Sequence, residues 1–210
     1  MACHGRCCLT TLPEMKREAA ARQLKRNPAT LGAGNALRLK ITLRYLTPPI
    51  WRRVLVPDHF TLGNLHSVIQ ATMGWGGGHM HEFRMPPRGF GPPLRRFGQE
   101  GEDEDATLVR DVLVRKGQML LYEYDFGDGW LHGIQLEQIL PREAGRRYPV
   151  CVAGARSCPP DDCGGPPGYD QLVKALQNPS APSNAELLEW CGEWDPESFD
   201  PEAVNRLLGA

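Results

Sequence analysis

The sequence has no apolar run approaching the ~20 residues of a membrane-spanning helix, and no membrane partner is expected. Met1 to Arg26 holds no apolar core of the kind a secretory signal carries, so export is not expected either. Neither sign of charge is in excess: 24 Lys and Arg against 25 Asp and Glu leave a net −1. No global field therefore draws the chain onto nucleic acid or anionic lipid. The phosphate-binding G-x-x-x-x-G-K-[ST], a strand-to-helix G-x-G-x-x-G, the G-x-S-x-G nucleophile turn and the H-E-x-x-H zinc helix are all missing. Zinc-finger spacing, a helix-turn-helix cue and internal repeats are missing too, which removes the common nucleotide-dependent, hydrolytic and DNA-reading classes.

What the chain has in quantity is loop chemistry. Gly 23 and Pro 19 make one residue in five of 210, which predicts long loops and short elements. Hydrophobic residues at 41% are ordinary for a globule, and a chain this long buries roughly 70% of its unfolded surface without needing a disulfide or metal. Seven cysteines with no expected export read as reduced thiols or metal ligands, and the expected location is cytoplasmic.

Residues 1–35 read as a flexible Cys-, Ala- and Arg/Lys-rich tail and linker, with Cys3, His4, Cys7 and Cys8 at its start. Residues 36–210 read as a single domain. Leu37, Leu39, Ile41, Leu43 and Tyr45 alternate with Arg38, Lys40, Thr42 and Arg44, a half-buried strand with one wet, basic face. Ile50 to Val56 predicts a second strand. Thr61 is the expected N-cap of a helix carrying Leu62, Leu65, Ile69 and Met73 and stopping at Gly74. His79 to Met85 predicts a third strand, followed by a Gly/Pro loop over 86–105 whose five acids between Glu100 and Asp105 are expected to stay in water. Gln118–Phe126 and Trp130–Ile139 predict a β-hairpin, with Leu120, Tyr122, Tyr124 and Phe126 on one face. A loop of about 27 residues follows Pro141, then helices over Tyr169–Gln177, Asn184–Cys191 and Pro201–Leu208. Strands first and helices last predict an α+β fold. Its expected form is a mostly antiparallel sheet with a central hairpin, one helix between the early strands and a C-terminal helical segment.

The segment Leu121-Tyr122-Glu123-Tyr124-Asp125-Phe126-Gly127-Asp128-Gly129-Trp130 and the run from Tyr148 through Cys151, Cys158 and Cys163 to Tyr169 are distinctive together. With the prolines around Trp51, Leu62–His66, Gly74-Trp75, His79-x-His81-Glu82-Phe83 and Trp194-Asp195-Pro196 to Asn205, they make the chain resemble the plasmid pRiA-type ORF-three-like family over about residues 36–208. The resemblance implies one α+β domain of a kind carried on plasmids, other mobile elements and bacterial chromosomes, and brings no defined activity. A recombinase-like label attaches to some members, but no recombinase nucleophile in a recognisable catalytic domain stands in this sequence. Against the family's pattern this chain has Gly76-Gly77-Gly78 where polar or acidic residues are commoner, Gly133 inside the hairpin, and the Cys-rich tail.

Three sets of residues are candidates for chemistry. His79 and His81, at i and i+2 on a strand, present imidazoles about 7 Å apart. With His132 on the hairpin's apolar face, or His66 on the helix, they could form an open three-ligand site for zinc or another divalent metal; the bland alternative is three separately buried neutral histidines. Cys151, Cys158 and Cys163 are either weakly spaced structural ligands, free thiols, or, for Cys163, a reactive thiolate. Asp125, Asp128, Asp161 and Asp162 could hold a divalent ion, though turn chemistry alone explains Asp128.

Two functions follow. In one, the chain is a binding domain whose basic face of Arg38, Lys40, Arg44, Arg52 and Arg53 meets an acidic partner, nucleic acid or protein. In the other it is a metal-dependent hydrolase or nuclease with Asp125 and His132 as the catalytic candidates. Whether it is an enzyme, what it binds and its oligomeric state are left open by the residues.

Overall fold

The computed structural model describes residues 34–85, 95–98 and 101–210. The expected tail with Cys3, His4, Cys7 and Cys8, and most of the expected loop after Met85, lie outside the described residues. In chain order the elements are β1 (Asn35–Leu43), β2 (Trp51–Pro57), α1 (Leu62–Met73), β3 (His81–Met85), β4 (Arg95–Gly98) and the single turn α2 (Val109–Val112). There follow β5 (Met119–Tyr124), β6 (Trp130–Pro141), β7 (Val150–Ala155), α3 (Gly165–Gln177), a 3-10 turn (Pro182–Asn184), α4 (Ala185–Cys191) and α5 (Pro201–Leu208). The strands form one seven-stranded sheet, β4-β3-β5-β6-β1-β2-β7, with every neighbouring pair antiparallel. This is the expected α+β class, with the β5–β6 hairpin in the middle of the sheet. No helix among the described residues is long and apolar enough to cross a membrane.

Period-two patterning decides the sheet's faces. Leu37, Leu39, Ile41 and Leu43 are fully buried and meet Leu120, Tyr122, Tyr124, Trp130, Ile134 and Leu136 in one core. α1 lies on that core through Leu62, Leu65, Val68 and Ile69. Its start is a capping box: Asn64 N–H donates to Thr61 Oγ1 at 3.1 Å and Thr61 N–H to Asn64 Oδ1 at 3.2 Å. Its end is Gly74 at φ +88°, the left-handed cap that glycine adopts without cost. α5 packs on β7 and α1. Its Asn205 accepts from Cys151 N–H at 2.7 Å and donates to Cys151 C=O at 2.9 Å, taking the place of a further strand along the sheet's outer edge.

Several expectations need correction. Arg52 is not part of the basic surface: successive residues of a strand face opposite ways, so with Arg53 outside, Arg52 is turned to the core face. Phe126 is 45% exposed rather than aligned with Tyr124, because Asp125 adopts φ +57° and ends the alternation. The long loop after Pro141 contains β7, and the Gly/Pro loop contains β4. The acidic run does not all stay in water, since the Glu104 carboxylate lies 3.0 Å from His81 Nε2.

The outer face is not a free cationic surface. Arg38 pairs with Gln138 and Leu39 with Leu136, so Glu137 is the extra residue of a β-bulge. Glu137 accepts from Arg53 Nε and Nη2 at 2.7 and 2.9 Å and lies 3.1 Å from Arg38 Nε. The hydrogen bond from Arg53 holds the Glu137 carboxyl below its ordinary pKa. Lys40 and Arg53 flank the Trp51 ring at 5.2 and 5.1 Å, and Arg44 lies over Gly133, where a Cβ would come within 3.3 Å of its Nη1. Glu137→Gln is expected to cost about 1 kcal/mol, the scale of a partly exposed ion pair, as a lowered urea midpoint at neutral pH.

Candidate functional site

Three separate segments meet at one end of the hairpin. The first is its turn. Asp125 N–H donates to Met80 C=O at 2.9 Å, Gly129 N–H closes back on Asp125 C=O at 2.6 Å, and Asp125 Oδ1 accepts from Gly127 N–H at 2.9 Å. That leaves Asp125 Oδ2 facing outward, 3.5 Å from His79 Nδ1. The second segment is the lead-in to β3, which carries His79. The third is the loop after β7, where Asp162 Oδ1 is 3.2 Å and Asp161 Oδ1 3.8 Å from His79 Nε2. Two indoles pin this loop: Trp75 Nε1 donates to Pro159 C=O at 3.0 Å and Trp194 Nε1 to Cys158 C=O at 3.2 Å. Asp128 closes the frame by accepting from Gly164 N–H at 3.2 Å, at the start of α3.

One ligand atom each from His79, Asp125 and Asp162 lies within 4.8 Å of the other two, which makes this the metal-sized group among the described residues. Asp125 and Asp162 both have left-handed backbones, at φ +57° and +62°. The Tyr124 ring meets the His79 ring edge-on at 5.7 Å. Its buried hydroxyl lies against the Gly78 and His79 backbone. Burial first, then the Asp161 carboxylate, holds that phenol above its ordinary pKa. Beside Asp161 and Asp162 opens a cavity of about 710 Å³, between the end of α1, residues 157–162 and the last two helices.

The three imidazoles of the sequence reading do not meet. His79 precedes β3 instead of lying within it, so the expected i, i+2 alignment with His81 is broken. His81 stacks on His66 with ring centres 3.6 Å apart and reaches Glu104. His132 is wholly buried, with Nδ1–H donating to Tyr122 C=O at 3.3 Å, and burial depresses its pKa to about 4. His66 belongs to a relay: Gly77 N–H donates to Gln70 Oε1 at 2.9 Å, Gln70 Nε2–H to Tyr122 Oη at 3.0 Å, and Tyr122 O–H to His66 Nδ1 at 2.8 Å. The proton of neutral His66 is thereby placed on Nε2. Burial and then His81 lower its pKa to about 3. Gly77 stands at φ +70°, a left-handed backbone that glycine adopts without strain.

The thiols do not converge either. Cys151 and Cys158 are buried, Cys163 and Cys191 half-buried, and no three of them form a metal-sized group among the described residues. Burial, then the Asp128 carboxylate, pushes the Cys163 thiol up to about 12, which disfavours a thiolate there. The partnership of His79 with Asp162 was not legible in advance. The 82 residues between them carry no spacing signal, and only the pinned loop brings them together.

The chain matches the family described as plasmid pRiA4b ORF-3-like protein over residues 35–203. It belongs to that family. Within it, the chain is 41% identical over 172 residues to the uncharacterised protein y4hQ of Sinorhizobium fredii, covering 81% of this chain and 87% of that one. It is also similar to a crystal structure of a protein of unknown function, MM3350 of Methanosarcina mazei Go1. The TM-score is 0.75 at 38% identity, covering 83% of this chain and 99% of that one. Family membership therefore fixes the fold and carries no activity with it.

Proposed function

We propose that this protein is a metal-dependent hydrolase in which His79, Asp125 and Asp162 hold one divalent ion beside the large cavity. The observation that carries the reading is the grouping of three ligand atoms within 4.8 Å. Small side-chain rotations bring such atoms to the roughly 3 Å that separates ligands sharing an ion at about 2.1 Å. One imidazole with two carboxylates suits Zn²⁺ or Mn²⁺ better than an all-oxygen ion such as Ca²⁺. Three protein ligands leave positions for water and substrate, which is the chemistry a hydrolytic metal supplies. Asp161, beside His79, is the base for that water. The competing binding-domain reading loses its main feature, because Arg52 is internal and Arg38 and Arg53 share Glu137.

The test is elemental analysis of purified, tag-free protein after reconstitution with Zn²⁺ or Mn²⁺ and gel filtration. One equivalent per chain is expected, lost in His79→Ala and in Asp162→Asn and kept in Cys163→Ala. Absence of metal in the wild type, or its retention in both site variants, would end the proposal.

A further inference from the structure

Arg52 is the residue whose surroundings are least accounted for. Its side chain is buried on the core face of β2, 3% exposed. Nε donates to Thr72 C=O at 2.8 Å, and Nη1 to Trp51 C=O and Ala155 C=O at 2.9 and 3.0 Å. The Thr72 contact caps the last turn of α1, which has no basic residue of its own, and a helix end supplies about half an elementary charge. The Phe199 ring covers one face of the guanidinium, 4.4 Å from Cζ. Capping thus explains Nε and Nη1 but leaves half of the charge and all of Nη2. No carboxylate pairs with Arg52 among the described residues, and the groups acting on its charge are the Cys158 and Cys151 thiols, of which burial keeps Cys151 neutral. Nη2 takes part in none of these hydrogen bonds, and Arg52 lines the cavity of about 710 Å³. A buried cation that no carboxylate neutralises is costly until an anion completes it.

We propose that this cavity binds a small monocarboxylic acid with an apolar body, its carboxylate taking Nη2 of Arg52. The walls supply the body's surroundings: Met73, Trp194, Phe199 and Leu207. The charge of the ligand follows from the donors left over. Thr72 Oγ1 already donates to Ile69 C=O, Ser157 Oγ to Ser198 C=O and Trp194 Nε1 to Cys158 C=O, so the Arg52 guanidinium is the one cationic donor among the lining residues. A phosphate dianion would meet Asp161, Asp162, Glu193 and Asp200 around the same cavity with too few donors to hold it. A carboxylate needs one good donor and brings a single charge. Asp161 and Asp162 line the same cavity, but this inference rests on Arg52, which touches none of the three proposed metal ligands.

The experiment is isothermal titration of the full chain, with EDTA present so that the metal reading is not in play. The probes are phenylacetate and hexanoate, their neutral amides, and inorganic phosphate. Both acids are expected to bind, the amides at least about tenfold more weakly, and phosphate not at all. Arg52→Gln is expected to lose at least about tenfold for the acids. Because Arg52 also ties β2 to α1, Trp190→Glu provides a second reading: Trp190 is half-exposed on the cavity wall, and a carboxylate there should weaken acid binding several-fold without touching the cap. Equal binding of acids and amides, no acid binding at millimolar concentration, tight phosphate binding, or wild-type acid affinity in Trp190→Glu would each overturn the proposal.

Discussion

Replacing Gly165 by alanine is expected to lower the melting temperature by about 10 °C, a larger effect than any surface substitution in this chain. Gly165 opens α3 at φ +68°, where an L side chain costs roughly 1–2 kcal/mol. A Cβ there would also stand 2.4 Å from the backbone oxygen of Asp128, which has no rotamer by which to withdraw. Relieving that contact means moving the hairpin turn or the start of α3, at about 1–3 kcal/mol for forced overpacking. The two parts sum to roughly 2–5 kcal/mol, and a domain of this length shifts by about 2–4 °C per kcal/mol. Gly164 is the control. It is also left-handed, at φ +89°, but a Cβ there meets nothing nearer than Gly168 Cα at 3.7 Å, so Gly164→Ala should show the backbone strain alone. Thermal melts of the two variants decide the matter; a Gly165→Ala protein no less stable than Gly164→Ala would mean that the junction is soft. The consequence for the site is direct, since the turn that would move carries Asp125.

That junction also shows where sequence reading reaches its limit. The alternation from Leu37 to Leu43, the helix between Thr61 and Gly74 and the hairpin around Gly127 are local signals: each depends on residues within one turn or one strand, and each is legible. β7 was missed because Val150–Ala155 is short, rich in small residues and interrupted by a bulge where Arg53 pairs with Ala153 and Val54 with Cys151. β4 was missed because Arg95, Arg96 and Gly98 surround its buried Phe97 with residues that read as loop. The basic strand pair was misread at Arg52 for a different reason: charge was counted along the chain without applying the pleat that separates neighbours. The site is the least legible part. Asp125 and His79 are each visible as candidates, but which imidazole joins which carboxylate depends on where β3 begins and on two indoles that fix the Pro159–Asp162 loop from positions 75 and 194.

Acid should destabilise the fold well before its carboxylates titrate, and His132 and His66 are the reason. The His132 imidazole is fully buried among Trp75 and Tyr122, with ring centres 5.4 and 5.3 Å away, and burial lowers its pKa from 6.5 to about 4. The unfolded chain therefore takes up a proton near pH 6.5 while the folded chain refuses it until about pH 4. Stability is complete above pH 6.5 and is lost progressively as pH falls through that window, at up to about 1.4 kcal/mol per unit. The loss attributable to His132 reaches on the order of 3 kcal/mol at pH 4. His66, lowered to about 3, adds to it with the same sign over an overlapping range. Glu137 acts later: its depressed carboxyl supports the fold above its ordinary pKa and gives way only in stronger acid. Urea midpoints at pH 7.5, 6 and 5 separate these contributions. The wild-type midpoint should fall steadily across the three; His132→Asn, which retains an N–H donor but does not titrate, should be less stable at pH 7.5 and fall with a shallower slope. Glu137→Gln should keep the wild-type slope in this range. A flat wild-type profile from pH 7.5 to 5, or an unchanged slope in His132→Asn, would mean that the His132 pocket opens to accept the proton instead of resisting it.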